Sequence, residues 1–233
     1  MLTPEQKIQE IANNIRPDQS LDYNFNILSS IASQNLKIEY TSDAISTEVT
    51  GTLDIANRTI TLSPLHKTNA SATYCLSYFF GAAILFEEKE ISSISATKNT
   101  ITTTYTGSCP TIEKAIEHSI SIFTKSLLMP EKLTTRIIQR LIEDFDIKDH
   151  MHGIIYLDYQ ECNHNQYVKI VNNICSIMNV SSELAITRLT ELKILNDVRL
   201  VKPKIWSSFV SDPGKDSGRN TFSPQRVKIT IGH

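Results

Sequence analysis

The most apolar stretch of the chain runs from Ala72 to Phe86, where twelve of fifteen residues are apolar. These residues occupy nearly every position around a helical turn, which is typical of a helix buried on most sides. A helix that crosses a bilayer needs about 20 residues, so this stretch is too short for one. The pattern therefore predicts a buried helix at the centre of a domain.

Apolar residues at helical spacing predict amphipathic helices on both sides of this stretch. The first begins at Thr3, which can cap it, and Pro4 suits the first helical position. The predicted helices cover residues 3–15, 21–34, 110–128, 130–145, 166–178 and 183–195. A turn of about four residues joins the last two, so they form a helix-turn-helix-like pair.

Alternating patterns predict strands in the first half of the chain. One covers residues 36–40, and residues 51–55 and 58–62 flank Ala56-Asn57 as in a β-hairpin. The Ser/Thr-rich residues 91–109 predict strand and loop outside the core. Residues 197–233 lose the helical pattern and contain a possible strand at 227–231. The fold class expected from this order is α+β.

The composition indicates which classes of partner and which cellular compartment to expect. The net charge of −2 gives no general attraction to nucleic acid or anionic lipid. The four cysteines form no Cys-x-x-Cys pair, which favours free thiols in a reducing cytoplasm. No signal peptide or membrane span is apparent, so we expect a cytoplasmic protein. With 7 glycines and no phosphate-binding motif, no cofactor is predicted.

Three signals occur in one order: the strand at 59–62, the buried helix, and a helix that ends Phe123-x-x-x-Leu127-Leu128-Met129-Pro130. This order resembles the ImmA/IrrE family of zincin-like metallopeptidases, whose later helix ends Phe-Ala-x-x-Leu-Leu-Met-Pro. The resemblance covers roughly residues 20–196. It continues into a C-terminal segment of the family, Val-Ser-x-x-Ala-x-x-Arg-Leu, which is matched by Val180, Ser181, Ala185, Arg188 and Leu189.

The departures from the family pattern lie in the buried helix. If Gly81 holds the glycine of the family's His-Glu-Leu-Gly-His segment, Tyr78 and Ala82 occupy the two histidine positions. Phe79 then occupies the position of the glutamate. Zinc hydrolysis needs two imidazoles at i and i+4 and a carboxylate base between them, and these side chains supply neither. The resemblance thus implies the fold without the activity: a pseudo-peptidase with no metal.

The family's third zinc ligand is a glutamate on the later helix, for which Glu117 is the candidate and Ser119 the other possibility. One carboxylate cannot hold zinc alone. Two interpretations of the degenerate positions remain open. Tyr78 and Phe79 either fill the former cleft as core or line a groove that contacts a partner.

The predicted organisation has three parts. Residues 1–147 form a minimal zincin-like domain with N-terminal helices, residues 148–196 a helix-turn-helix-like subdomain, and residues 197–233 an irregular basic tail. Active members of the family act on helix-turn-helix repressors. The first hypothesis is therefore an inactive protein that binds such a repressor of a phage or mobile element, as an antirepressor or adaptor.

The sequence is compatible with two other classes of function. From residue 188 onward nine Lys/Arg stand against four Asp/Glu, which suggests a DNA-binding regulator that uses residues 166–233. A third hypothesis is a metallopeptidase with a relocated site, built from Glu117 with His118 or from His150 and His152. The candidate contacts for nucleic acid or a partner are Arg188, Lys193, Arg199, Lys202 and Lys204.

Overall fold

The computed structural model describes residues 2–16, 26–40, 49–63, 70–86, 91–97, 101–105, 110–147 and 154–199. All of these lie in one compact unit, residues 1–200. The helices in this part are α1 (Pro4–Ile15), α2 (Ile27–Ser33), α3 (Ala70–Leu85), α4 (Pro110–Leu128), α5 (Glu131–Asp144), α6 (Glu161–Met178) and α7 (Ser182–Glu191). The strands are β1 (Lys37–Tyr40), β2 (Val49–Asp54), β3 (Thr59–Leu62), β4 (Ile91–Thr97), β5 (Ile101–Tyr105), β6 (Ile155–Leu157) and β7 (Leu195–Asp197). The fold is α+β, as predicted.

The larger sheet has five strands in the order β1-β3-β2-β4-β5. Only β1 and β3 run parallel, and the other neighbours are antiparallel. The predicted hairpin is confirmed as β2 and β3. Its turn is held by Asp54, whose carboxylate accepts hydrogen bonds from the backbone N (3.1 Å) and side-chain N (2.8 Å) of Asn57. Such Asx interactions favour turns over continued strand.

The prediction that residues 91–109 lie outside the core is wrong for β4. This strand lies between β2 and β5, and Ile91 and Ile94 are fully buried. Two residues three apart cannot share a face of a regular strand. A register irregularity between Ile91 and Ser93 inserts an extra residue, and both isoleucines then face inward.

The buried central helix is confirmed as α3, which packs against both the sheet and α4. A Cβ on Gly51 of β2 would lie 3.3 Å from Cε2 of Phe79. A Cβ on Gly81 of α3 would lie 2.6 Å from Cδ1 of Phe123 in α4. The two glycines therefore permit the close approach of the sheet to α3 and of α3 to α4. This first hydrophobic cluster contains buried residues of α1 to α4 and β2 to β4.

A second hydrophobic cluster joins α5, α6 and α7 with a two-stranded parallel sheet of β6 and β7. Its buried residues begin at Leu128 and so include α5, which the sequence assigned to the first domain. The three-part domain organisation stays a prediction. The expectation that the last helix reaches residue 195 is wrong. Lys193 has a left-handed φ of 58°, and Leu195 pairs with Ile155 in the small sheet.

Several predicted features fall on residues that the structure does not describe. These are His150, His152, Lys202, Lys204 and the possible strand at 227–231. Within the described ranges, no helix combines the length and the apolar character that a membrane crossing would need.

Candidate functional site

The three positions of α3 that the resemblance aligns with the family's histidines and glutamate all lie in the core. Tyr78 is 7% exposed, and Phe79 and Ala82 are fully buried. The ring of Phe79 points toward Gly51 of β2, so it fills space between the helix and the sheet. The neighbouring Phe80 makes an edge-to-face contact with Phe123 at 6.0 Å between ring centroids. At these positions the space between sheet and helices is occupied by apolar side chains.

Tyr74 lies one turn before Tyr78, with 6.3 Å between the two ring centroids. It is half-buried and touches both hydrophobic clusters. Burial raises the pKa of Tyr74 to about 12, and the neighbouring Tyr78 adds to the rise. The Tyr74 phenol therefore stays protonated at ordinary pH and presents no anionic oxygen to a cation.

Glu117 does not share this buried environment, because its side chain is exposed on α4. Ser119, the other candidate for the third ligand, donates its hydroxyl hydrogen bond to the Ala115 carbonyl at 2.8 Å. His118 Nε2 lies 3.1 Å from Oε1 of Glu5 in α1, and both side chains are well exposed. The structure thus places the solvent-exposed pair of His118 and Glu5 beside Glu117, which is typical of the polar surface of a helix.

The C-terminus of α4 carries the Leu-Leu-Met-Pro segment and is held by two buried arginines; we call it the α4 junction. Arg16 Nη1 donates to the carbonyls of Leu127 (2.8 Å) and Leu128 (2.9 Å). Arg188 Nε donates to the carbonyl of Met129 at 3.1 Å. The last carbonyls of a helix lack partners within it and attract cations, which explains why charged groups are buried here.

The α4 junction continues into an ion-pair network on α7. Arg188 Nη1 lies 3.4 Å from Oε2 of Glu191, and the other oxygen of Glu191 pairs with Lys125 of α4. Arg188 is only 5% exposed. Its burial and its two partners make it a structural residue, so we withdraw it from the candidate contacts for nucleic acid or a partner protein.

Two of the other predicted contacts lie within the described residues. Lys193 is exposed just after α7. Arg199 is half-buried and pairs with both carboxylate oxygens of Asp197, at 2.9 and 2.7 Å. These hydrogen bonds hold the pKa of Asp197 below its ordinary value. The carbonyl of Arg199 accepts a hydrogen bond from the Tyr159 hydroxyl at 3.0 Å, which holds that exposed ring in place.

The two helices of the predicted helix-turn-helix-like pair correspond to α6 and α7. Asn179 ends α6 in the left-handed conformation, and Ser181 caps α7 by accepting from the backbone N of Leu184 at 3.3 Å. The exposed face of α7 carries hydroxyls and carboxylates but no Lys or Arg. Its members are Ser182, Glu183, Thr187, Thr190 and Glu191.

Within the described ranges, no group of three or more His, Cys, Asp or Glu residues is placed to hold a metal ion. His164 is exposed on α6 and contacts the ring of Tyr167. The described residues therefore offer no alternative metal site near this histidine.

Comparison with protein-family models gives no match to this chain, and comparison with curated proteins gives none either. The resemblance to the ImmA/IrrE family therefore stays a prediction from the motifs. The geometry adds one relation that the sequence could not supply: the two motif segments touch, through Arg188 and Met129.

Sequence reasoning missed Arg16 altogether. The only signal at that position was an Arg-Pro pair that predicts the end of α1.

Proposed function

We propose that this protein is a pseudo-peptidase with a zincin-like domain and a helix-turn-helix-like subdomain. In this proposal it acts by binding a regulatory protein. The partner is a helix-turn-helix repressor of a phage or mobile element, which the protein engages without cleavage as an antirepressor or adaptor.

The observation that carries the proposal is the contact between the two motif segments at the α4 junction. Leu127 to Pro130 and Val180 to Leu189 are separate in sequence, yet Arg188 donates directly to the Met129 carbonyl. A chance likeness of short segments would not require them to meet. Their contact supports a common scaffold in which the later segment holds the end of α4.

The loss of hydrolysis is supported by the side chains at the degenerate positions. Tyr78, Phe79 and Ala82 are core residues, and none offers a neutral imidazole nitrogen or a carboxylate base. A cleft that kept histidines and a glutamate without metal would leave polar groups half-buried and unpaired, which is costly. Filling the same space with aromatic rings removes that cost and adds apolar burial. We therefore favour the interpretation of these residues as core.

The exposed face of α7 favours protein recognition over base readout. Reading bases in a groove needs several aimed donors on one helix. The single basic residue of α7, Arg188, is buried, whereas Glu183 is exposed. These positions count against a DNA-binding regulator that uses α7 as its recognition helix. Among the described residues, Glu117 and His118 lie exposed on α4, which gives no support to a peptidase with a relocated site there. His150 and His152 lie outside the described residues.

The test uses the purified full chain as bait in a lysate of its native host. We expect an intact helix-turn-helix repressor to be captured, and the purified repressor to leave its operator when the protein is added. Charge reversal on the exposed α7 face, Glu183→Arg, should weaken this binding. The matched control Glu10→Arg on α1 should not. Cleavage of the captured repressor, or capture of no helix-turn-helix protein, would contradict the proposal.

A further inference from the structure

The five-stranded sheet ends at β1, which has no neighbouring strand on its outer side among the described residues. On its inner side, the backbone N of Lys37 donates to the carbonyl of Arg58, just before β3, at 2.9 Å. Backbone groups alternate between the two sides of a strand, so the N–H and C=O of Ile38 point away from β3. Outward groups of this kind are a template for pairing with a further strand.

The side chains of β1 alternate between the two faces of the sheet. Ile38 is partly buried and packs against the first hydrophobic cluster, whereas Lys37 and Glu39 are exposed on the opposite face. Their neighbours in β3 on that face are Thr59 and Thr61, which carry no charge. Within the described ranges, neither Lys37 nor Glu39 has an ion-pair partner. The edge therefore presents one cation and one anion to a second molecule.

Antiparallel pairing of β1 with β1 of a second copy of the chain satisfies both the backbone and the charges. With a twofold axis at Ile38, the N–H of each Ile38 faces the C=O of the other, as in the hydrogen-bonded pair of an antiparallel ladder. Lys37 then lies directly opposite Glu39 of the second copy, and Glu39 opposite its Lys37. These are non-hydrogen-bonded pairs, in which side chains approach most closely and opposite charges attract.

The charges of β1 select this register over its neighbours. A twofold axis at Lys37 would place two lysines opposite each other, and an axis at Glu39 would oppose two glutamates, which is destabilising. An axis between two residues would pair side chains that lie on different faces of the sheet. The strand is thus complementary to itself in one register, which an unrelated segment would match only by carrying the same pair of charges.

We infer that two copies of this chain associate through β1 in a twofold dimer, with one sheet continuing into the other. Each copy uses its β1 edge once, so the contact closes at two chains. Because β1 has only four residues, the interface is small and the dimer should depend on protein concentration. The association goes beyond the proposed repressor binding, does not depend on it, and uses a different surface from the exposed face of α7.

The experiment is sedimentation velocity of the full chain over a series of protein concentrations, and the wild type should approach the mass of two chains. Lys37→Glu leaves only anions at the facing positions, and Glu39→Lys leaves only cations. Each variant should therefore dimerise at least about tenfold more weakly than the wild type. An equimolar mixture of the two variants should form dimers again, and so should the double variant Lys37→Glu with Glu39→Lys, because opposite charges face each other in both.

The matched controls, Lys7→Glu and Glu10→Lys, make the same charge changes at exposed positions of α1 and should dimerise like the wild type. Thermal melts establish that every variant is folded. A wild type that stays a single chain would overturn the inference, as would growth beyond two chains. Single variants that dimerise as tightly as the wild type would also overturn it. If the folded single variants are monomeric and neither the mixture nor the double variant recovers, Lys37 and Glu39 do not face each other and the pairing is refuted.

Discussion

The core positions of α3 and the α4 junction are both buried, but they are built from opposite kinds of side chain. In α3, Tyr78, Phe79 and Ala82 form an apolar interior at the positions that the predicted resemblance aligns with the family's metal ligands and base. At the α4 junction, Arg16 and Arg188 bring two guanidinium groups into the interior. The difference follows from the needs of each region: the α4 junction has backbone carbonyls that need donors, and α3 has volume that must be filled.

Backbone carbonyls at a helix end need donors, whatever the protein does. The arginines at the α4 junction supply those donors and thus serve the fold itself. Side chains at the degenerate positions of α3 serve the fold only by filling volume, so aromatic rings suffice there. In the account proposed here, the charged groups that hold the scaffold are present while the groups that carry its chemistry are not.

Truncation of Phe79 should have the largest effect on stability. Phe79→Ala should lower the free energy of unfolding by about 3–5 kcal/mol, because a fully buried ring leaves a cavity between α3 and the sheet. Denaturant titration measures this change. Phe86→Ala, at a half-buried position, is the control and should cost clearly less. Equal costs for the two variants would show that Phe79 is not a core residue.

Removal of the guanidinium group of Arg188 should have the second-largest effect on stability. Arg188→Met should lower the free energy of unfolding by about 2 kcal/mol, because the Met129 carbonyl loses its donor in the interior. Arg136→Met, on the exposed face of α5, should leave stability unchanged. If both substitutions are neutral, the α4 junction does not depend on this hydrogen bond, and the contrast with α3 disappears.

Tyr74 gives a pH-dependent test at the boundary of the two clusters. Its folded-state pKa of about 12 exceeds the ordinary value of 10.0, so the unfolded chain ionises first. The stabilisation is therefore complete below pH 10 and is lost as pH rises from 10 toward 12. Its size should be about 1–2 kcal/mol after allowance for partial exposure. Over that pH range, the free energy of unfolding of the wild type should fall relative to that of Tyr74→Phe. Parallel pH profiles for the two proteins would contradict the raised pKa of Tyr74.

The smallest effect is expected at the exposed pair of His118 and Glu5. His118→Ala should leave the thermal midpoint unchanged, because both side chains are well exposed and screened by solvent. The same substitution should leave repressor binding unchanged. A drop in stability comparable to that of Arg188→Met would place this pair among the structural contacts and would weaken the contrast drawn here.

Much of the fold could be predicted from local patterns. Thr3 forms the expected cap of α1, and α4 covers the predicted residues 110–128. The apolar run predicts α3 because burial on all sides leaves no polar stripe. Features that depend on distant partners could not be predicted. The two isoleucines of β4 face inward only because of an irregularity in its pairing, and Leu195 joins a strand because β6 lies beside it.

In the candidate site, too, features that depend on distant partners could not be predicted. Sequence reasoning identified the degenerate positions of α3, but it could not determine whether they line a cleft or fill the core. Arg188 is basic and lies on a helix-turn-helix-like helix, which in sequence suggests a surface contact. Its burial follows from the Met129 carbonyl, 59 residues earlier in the chain. Arg16 contacts Leu127 across 111 residues, and no local pattern indicates such a contact.

We propose a zincin-like scaffold that carries core side chains where its metal ligands would lie. The most direct test is the zinc content of the untagged full chain, measured by inductively coupled plasma mass spectrometry. The protein is purified from cells grown in zinc-supplemented medium. The account predicts no stoichiometric zinc, and the same result for Glu117→Gln. One zinc ion per chain, lost in Glu117→Gln, would contradict it.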